Sequence, residues 1–324
     1  MRPPADDSVA GPAICGGGKL VLRPFGESDH LAVEAIAAAV DADYPWADEW
    51  HAGEQYSAGD GPFRWVVEAE REPVVASAAM SPARPPRHRL RLMVLPRWQR
   101  RGAGRMLYHA ALSAAHGAEA ATLQARVRKT QQDALGFLFR RGFEFVHEMV
   151  GMRLDVTRCE LGSLVSAVAQ VRSHGIEIRT LAQEQACEPQ WLARFRELVM
   201  AVREGWPEPD PGPPLPWPPD YFEQTLKPAI GHEESVYIAK SGDRYIGYSG
   251  MPFLATAVVP AYRNRGVATA LKVLAIGHAK ACGATTLLTC TASAAMAAVN
   301  AKFGFVPYCT EVRLRKIVRG FQSQ

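Results

Sequence analysis

Val94-Leu95-Pro96-Arg97-Trp98-Gln99-Arg100-Arg101-Gly102-Ala103-Gly104-Arg105 reads as a strand end, a basic glycine turn and the start of a helix. The pattern recurs at Val258-Val259-Pro260-Ala261-Tyr262-Arg263-Asn264-Arg265-Gly266-Val267-Ala268-Thr269. A Gly-Phe pair follows each copy, Gly142-Phe143 and Gly304-Phe305, at intervals of 40 and 38 residues from the turn glycine. A repeat this long is not a solenoid period. It implies one domain written twice.

Outward from the first turn, Leu20–Pro24, Trp65–Ala69, Val74–Ala78 and Leu90–Val94 read as strands, and Ser28 is placed to cap a helix through Ala32 to Val40. Helix Arg105–His116, strand Thr122–Val127, helix Gln131–Arg140 and a closing strand pair from Phe143 to Leu154 complete the copy. The second copy follows the same order. Strand Ile176–Arg179, helix Gln190–Val202, a Pro/Trp-rich loop and a short helix Tyr221–Leu226 open it. Strands at Val236–Ala239, Tyr245–Tyr248 and Leu254–Val259 lead to the turn. Helix Ala268–Ala281, strand Thr285–Thr289, helix Ala294–Lys302 and a final strand pair to Lys316 close it. The boundaries are a flexible tail at 1–18, a first domain at 19–158, a linker helix within 159–175 and a second domain at 176–324.

The chain's 324 residues suit two domains of the usual ~100–200. A hydrophobic share of 48% and a charged share of 22% are those of an ordinary globular protein. The net charge of +4 is too small to signal nucleic-acid binding by itself. Eight arginines from Arg84 to Arg105 nevertheless crowd around the first turn, as a solvated strand edge or as a field for a polyanionic ligand. Six scattered cysteines make no CxxC pair and no metal spacing, which points to a reducing compartment and no bound metal. The N-terminus lacks an apolar signal core, and no run approaches the ~20 apolar residues of a membrane span. A cytoplasmic protein is expected.

The turn itself carries chemistry. Gly102 and Gly266 allow backbone conformations that other residues reach at a cost, and Gly104 and Ala268 let a ligand approach the backbone. The first amides of the following helix then face that ligand with the positive end of the dipole behind them, which suits a pyrophosphate. The turn is neither a dinucleotide fingerprint, for want of three spaced glycines and a later acid, nor a Walker loop, for want of Gly-Lys-Ser/Thr.

With Gln99-x-x-Gly102-x-Gly104 and Arg263-x-x-Gly266-x-Ala268 after a Val-x-Pro strand end, and each Gly-Phe after a helix, the chain resembles the GNAT superfamily of acetyl-CoA-dependent N-acyltransferases, in tandem, over nearly all of its length past residue 18. The resemblance implies an α/β (α+β) fold: two domains, each a mixed, mostly antiparallel sheet flanked by helices, whose fourth and fifth strands splay apart around the cofactor's pantetheine arm. It places pantetheine contacts at Met93, Val94 and Leu95 and at Val258 and Val259. Pyrophosphate contacts fall at Gln99, Arg100, Arg101, Gly102, Ala103, Gly104 and Arg105, and at Arg263, Asn264, Arg265, Gly266, Val267, Ala268 and Thr269.

The implied activity is direct transfer of an acetyl group, from acetyl-CoA or another acyl-CoA, to the amine of a small molecule. Family members often carry a Tyr four residues before the Gly of Gly-Phe; here those positions hold Leu138 and Asn300. Leu138 cannot do acid chemistry, so the second half is read as the working one, with Asn300, nearby Tyr308 and Glu234 as catalytic candidates. Cys290, at the end of the splayed strand, and Glu233, Glu223 and Asp220 are weighed beside them. The acidic, aromatic stretches Asp41–Trp50 and Glu204–Asp220 suit a cationic acceptor.

A non-catalytic acyl-CoA-binding or scaffolding protein is the alternative, and acylation of RNA or protein docked on the Arg84–Arg105 stretch a third reading. No nucleic acid and no membrane are expected as partners, and the protein is read as a monomer or homodimer.

Overall fold

The computed structural model describes residues 19–41, 63–70, 72–84, 86–202, 233–250 and 255–318. It has two compact units, one of residues 1–126, 140–144 and 314–324, the other of residues 127–139 and 145–313.

In the first unit, β1 (Leu20–Pro24), α1 (His30–Asp41), β2 (Phe63–Ala69), β3 (Glu72–Arg84), β4 (Arg87–Val94) and α2 (Ala103–Gly117) lead to β5 (Thr122–Arg128), which belongs here up to Arg126. Strands β1 to β4 are antiparallel neighbours, and β5 runs parallel to β4. Successive strand residues face opposite ways, yet Val66 and Val67 of β2 are both fully buried, so this sheet is covered on both faces. Ile36 of α1 and Leu107 of α2 share the valines' apolar cluster. The cap expected from Ser28 is supplied instead by Asp29, whose carboxylate accepts the Gly26 N–H at 2.8 Å. Arg23 grips that carboxylate at 2.6 and 2.8 Å and holds it down at about 2.

The second unit takes the end of β5, α3 (Gln132–Phe139), β6 (Glu144–Asp155) from Phe145, α4 (Ser166–Ser173), β7 (Ile176–Thr180), α5 (Leu181–Cys187) and α6 (Trp191–Val202). It continues through β8 (Tyr237–Ser241), β9 (Arg244–Gly250), β10 (Ala255–Val258), α7 (Val267–Ala281), β11 (Thr286–Thr291), α8 (Ala294–Lys302) and β12 (Val306–Ile317) up to Arg313. Strands β7 to β10 form an antiparallel sheet in the order β10-β9-β8-β7, while β6 lies between β11 and β12. Helix α7 lies close on the four-stranded sheet because Gly247 carries no side chain. A Cβ there would stand 2.9 Å from the Ala257 carbonyl oxygen and 3.3 Å from Leu271 Cδ1.

Two expectations change. Each closing strand pair is one unbroken strand of 12 residues, β6 and β12. Neither segment holds a turn signal strong enough to fold it back. The one glycine, Gly151, serves packing: a Cβ there would meet Cys309 Sγ at 2.5 Å and Tyr308 at 3.1 Å. Helix α5 also goes beyond the sequence reading, although a reciprocal cap announces it. Thr180 Oγ1 accepts the Gln183 N–H at 3.2 Å, and Gln183 Oε1 accepts the Thr180 N–H at 3.0 Å.

Candidate active site

The two glycine turns trace one backbone path. Leu95 and Val259 have φ of −48° and −57°, and Gln99 and Arg263 have −64° and −67°. Arg100 and Asn264 are left-handed at 63° and 61°, and Gly102 and Gly266 cap α2 and α7 at 98° and 81°. Among the described residues, apart from the chain neighbours, no atom lies within 4 Å of a Cβ built on Gly102, and only Val171 Cγ1, at 3.8 Å, does so at Gly266. Backbone conformation, not crowding, therefore selects glycine at these two caps. The amides of Ala103 and Gly104, and of Val267 and Ala268, open their helices, where an α-helix offers its N–H groups no internal acceptor. An anion is the natural partner of such a helix start.

Side chains brace each turn in the same way. Gln99 Nε2 donates to the Val94 carbonyl oxygen at 3.2 Å, and Arg263 Nε to that of Val258 at 3.1 Å. Arg101 stacks 5.0 Å over the Trp98 ring, as Arg265 stacks 5.2 Å over Tyr262. The first turn has a further anchor, Glu72, which accepts from the Arg97 guanidinium and the Trp98 indole. Arg100, Arg101, Arg105 and Arg265 remain exposed around the caps.

Beside each turn the strands part. Strand β4 pairs with β5 only from Arg87↔Thr122 to Arg89↔Gln124, so the stretch ending at Met93 and Val94 runs on without β5. In the second unit the separation is complete: β10 ends one sheet and β11 lies beyond β6 in another. The first unit thus holds Met93, Val94 and Leu95 next to Gln99–Arg105, and the second holds Val258 and Val259 next to Arg263–Thr269.

The catalytic candidates are spread around β6 and α7. Asn300 on α8 is fully buried; its Nδ2 lies 3.4 Å from Met152 Sδ, and its buried Oδ1 has no hydrogen-bond partner among the described residues. Tyr308 packs against neighbouring Gly151. Adjacent strand residues face opposite ways, so Asn300 lies on one face of β6 and Tyr308 on the other. Cys290 stands directly opposite Gly151 in the β11–β6 pairing, and Cys309, whose thiol burial pushes up, lies beside Tyr308 against Gly151. Glu234 is exposed in a 3-10 turn, and its charge helps burial to raise the phenol of Tyr237. That phenol ring lies 6.4 Å from His278, twelve residues or roughly 18 Å along α7 from its Gly266 cap. Glu234 therefore stands apart from the turn. Leu138 is buried on α3. The stretches beyond Asp41 to Trp50 and from Glu204 to Asp220, with Glu223, lie outside the described residues.

Sequence reasoning passed over Lys272. It sits in an apolar run on α7, fully buried, with its Nζ 5.4 Å from the Phe305 ring centroid and no hydrogen-bond partner among the described residues. Burial pushes its amine down to about 7. No spacing in the sequence marks it, because a lysine in a helix is ordinarily exposed.

Among the described residues no helix is long and apolar enough to cross a membrane. No curated protein matches the chain. Solved structures do. A GCN5-related N-acetyltransferase from Sphaerobacter thermophilus matches with a TM-score of 0.67 at 18% identity, over 93% of this chain and 96% of that one. A tandem GNAT protein from the clavulanic acid biosynthesis pathway matches with a TM-score of 0.64 at 18% identity, over 94% of this chain and all of the other. At such identity the likeness is one of fold. The profile of the acetyltransferase (GNAT) family matches residues 30–143 and again residues 199–305, one match around each glycine turn. The chain belongs to the GNAT acetyltransferase family, with two GNAT regions in tandem.

Proposed function

We propose that this transferase is an N-acetyltransferase that takes the acetyl group of acetyl-CoA, or the acyl group of a related acyl-CoA, and passes it directly to the amine of a small molecule. One observation carries the reading: a left-handed glycine cap, a helix start and a parted strand occur together twice, on one backbone path. These residues fit the group. The amides opening α2 and α7 suit a diphosphate, and the exposed Arg100, Arg101, Arg105 and Arg265 supply charge around it. The free edges of β4 near Met93–Leu95 and of β10 near Val258–Val259 suit an arm that carries amides.

When bound, acyl-CoA would supply a thioester, an acyl group already activated toward amines. The chain's part is to hold the donor, orient the amine and move one proton away from it. The second half is the better placed. Its strands separate completely, and the buried Asn300 oxygen has no hydrogen-bond partner among the described residues. Because they face opposite sides of β6, the two candidates serve as alternatives: Asn300 would orient donor or acceptor by hydrogen bonding, or Tyr308 would give a proton to the leaving thiolate. Glu234 would serve as base only for an acceptor reaching the His278 end of α7. In the first half, Leu138 leaves a binding or bracing role. On this reading the protein works in the cytoplasm, as a monomer or homodimer, with domain limits at 19–158 and 176–324 around a linker at 159–175.

Calorimetric titration of acetyl-CoA into the full chain tests the proposal, paired with thiol release in the presence of a panel of amines. Binding with amine-dependent thiol release is expected. Binding without release by any amine would leave a cofactor-binding protein, and no binding would end the reading.

A further inference from the structure

Lys272 is an amine with no counter-charge. Its side chain is fully buried on α7, and its Nζ has no hydrogen-bond partner among the described residues. The Phe305 ring, 5.4 Å away, offers only its face. An ammonium carries three N–H donors and can use none of them in such a place. Burial therefore favours the neutral form and pushes the amine down to about 7.

The charged and titratable groups on the elements packed around α7 are engaged elsewhere. Lys240 and Tyr245, on the strands beneath it, face Glu184 at 3.6 and 2.6 Å. Tyr237 faces His278 near the far end of the helix, with Glu234 beside it and Glu233 in the same 3-10 turn. Lys280 donates to the Cys159 carbonyl oxygen at 2.9 Å, and Tyr248 lies against Phe195. Arg158 after β6, Arg172 on α4, Arg244 on β9 and Lys302 on α8 are exposed. Burial alone accounts for the shift of Lys272.

A charge to answer it can come from outside the chain. Helix α7 starts at the Gly266 cap, and Lys272 lies six residues on, roughly 9 Å along the axis. The positive end of the helix dipole opposes a cation there and favours an anion, so an anion on the cap relieves the one and attracts the other. The intervening Val267, Ala270 and Leu271 are buried, and with little water between them two charges act on each other over such a distance. In the first copy the sixth residue after Gly102 is Tyr108, covered by Arg141 at 5.3 Å and Lys316 at 5.8 Å. That turn has no buried amine at the matching place.

We infer that Lys272 couples the second glycine turn to protons: an anion seated on the Gly266 cap draws a proton onto Lys272, and the Gly102 cap lacks this coupling. The inference rests on the reading of the turn as a diphosphate site for acyl-CoA, and it adds a control by pH. The coupling is reciprocal, so the proton also favours the anion. In the free chain the amine is neutral above about pH 7, whereas with the anion bound it stays charged to a higher pH. Affinity at the second turn is then greatest near and below pH 7 and declines toward pH 9.

The test is calorimetric titration of acetyl-CoA into the full chain at pH 7.5, in PIPES and in Tris. The two buffers differ in ionisation heat, so the difference in signal counts protons. The natural chain should take up about half a proton more than K272M, and between pH 7 and pH 9 its affinity should fall about fivefold more. Comparison with K272M cancels protons exchanged by the ligand itself. G266A should lose the extra uptake and G102A should keep it. Circular dichroism checks that each variant is folded, and the pair G266A and G102A gives the same comparison without touching Lys272. Equal uptake in the natural chain and K272M, or uptake that follows Gly102 instead of Gly266, would overturn the coupling while acyl-CoA binding stands. No binding of acetyl-CoA at all would end both readings.

Discussion

Arg263 Nε donates to the carbonyl oxygen of Val258 across 3.1 Å, and its Nη2 reaches the Val202 carbonyl oxygen at 3.5 Å. The residue that heads the basic turn thus folds back on the strand before it, as Gln99 does on Val94. The tether holds the amides of the turn in place, a positioning role. R263A should raise the KM for acyl-CoA about fivefold with a smaller change in kcat, the worth of one partly exposed hydrogen bond of about 1 kcal/mol. R263Q, which can make the bond Gln99 makes, should recover most of the loss. Equal losses in both variants would mean that Arg263 acts by its charge.

At the caps the cost is conformational. Gly102→Ala and Gly266→Ala force a Cβ into the left-handed region without meeting crowded atoms, at roughly 1–2 kcal/mol each. Calorimetry should show each substitution removing acetyl-CoA from its own half, so that any change of stoichiometry tells which turn binds. Two variants that both keep the natural stoichiometry would detach the turns from cofactor binding.

Lys272 predicts a pH dependence of stability. Below about pH 7 its amine is protonated in the folded and the unfolded chain alike, and the full penalty of burying the charge weighs on the fold. Between about 7 and the ordinary 10.5, the folded chain holds a neutral amine while the unfolded chain still binds a proton, so stability rises with pH. K272M should be more stable at pH 6, by about 2 kcal/mol, with the advantage shrinking toward pH 10. Thermal melts of the two proteins across that range would reveal it; parallel curves would show that the amine does not titrate there.

Asn300 separates packing from chemistry. N300L keeps the branched shape at a somewhat larger volume and removes both polar atoms, so a packing role predicts little loss of turnover. If Asn300 orients donor or acceptor, kcat/KM should fall about tenfold, the worth of one hydrogen bond, while the melting temperature stays within a few degrees. Y308F, on the opposite face of β6, should lower kcat and spare the KM for the donor if its hydroxyl protonates the thiolate.

How much of this could be read beforehand depended on whether a local rule was at stake. The glycine caps, the Pro-ended strands and the helices after them obey short-range backbone rules, and Gly102 and Gly266 sit where those rules require. The parting of β4 from β5 came with the family likeness rather than from any residue. The cap expected from Ser28 differs for a local reason: a 3-10 turn, Glu27–Asp29, leads into α1, and the Asp29 carboxylate, held by Arg23, accepts the Gly26 N–H. Lys272 and the split of Asn300 and Tyr308 across β6 depend on long-range packing, which no periodicity encodes. Gly151 makes room for Tyr308 and Cys309, a packing role that the closing segment's sequence does not mark.

The complete separation of β10 from β11 also bears on how the protein survives outside its reaction. An unpaired strand edge is a template for another chain, and among the described residues β10 and β11 each end a sheet. A molecule that lies along those edges shields them as a borrowed strand would. Supply of that molecule then sets shelf life as well as turnover. Preparations kept with acyl-CoA should resist clumping, and cells short of it should lose the protein first.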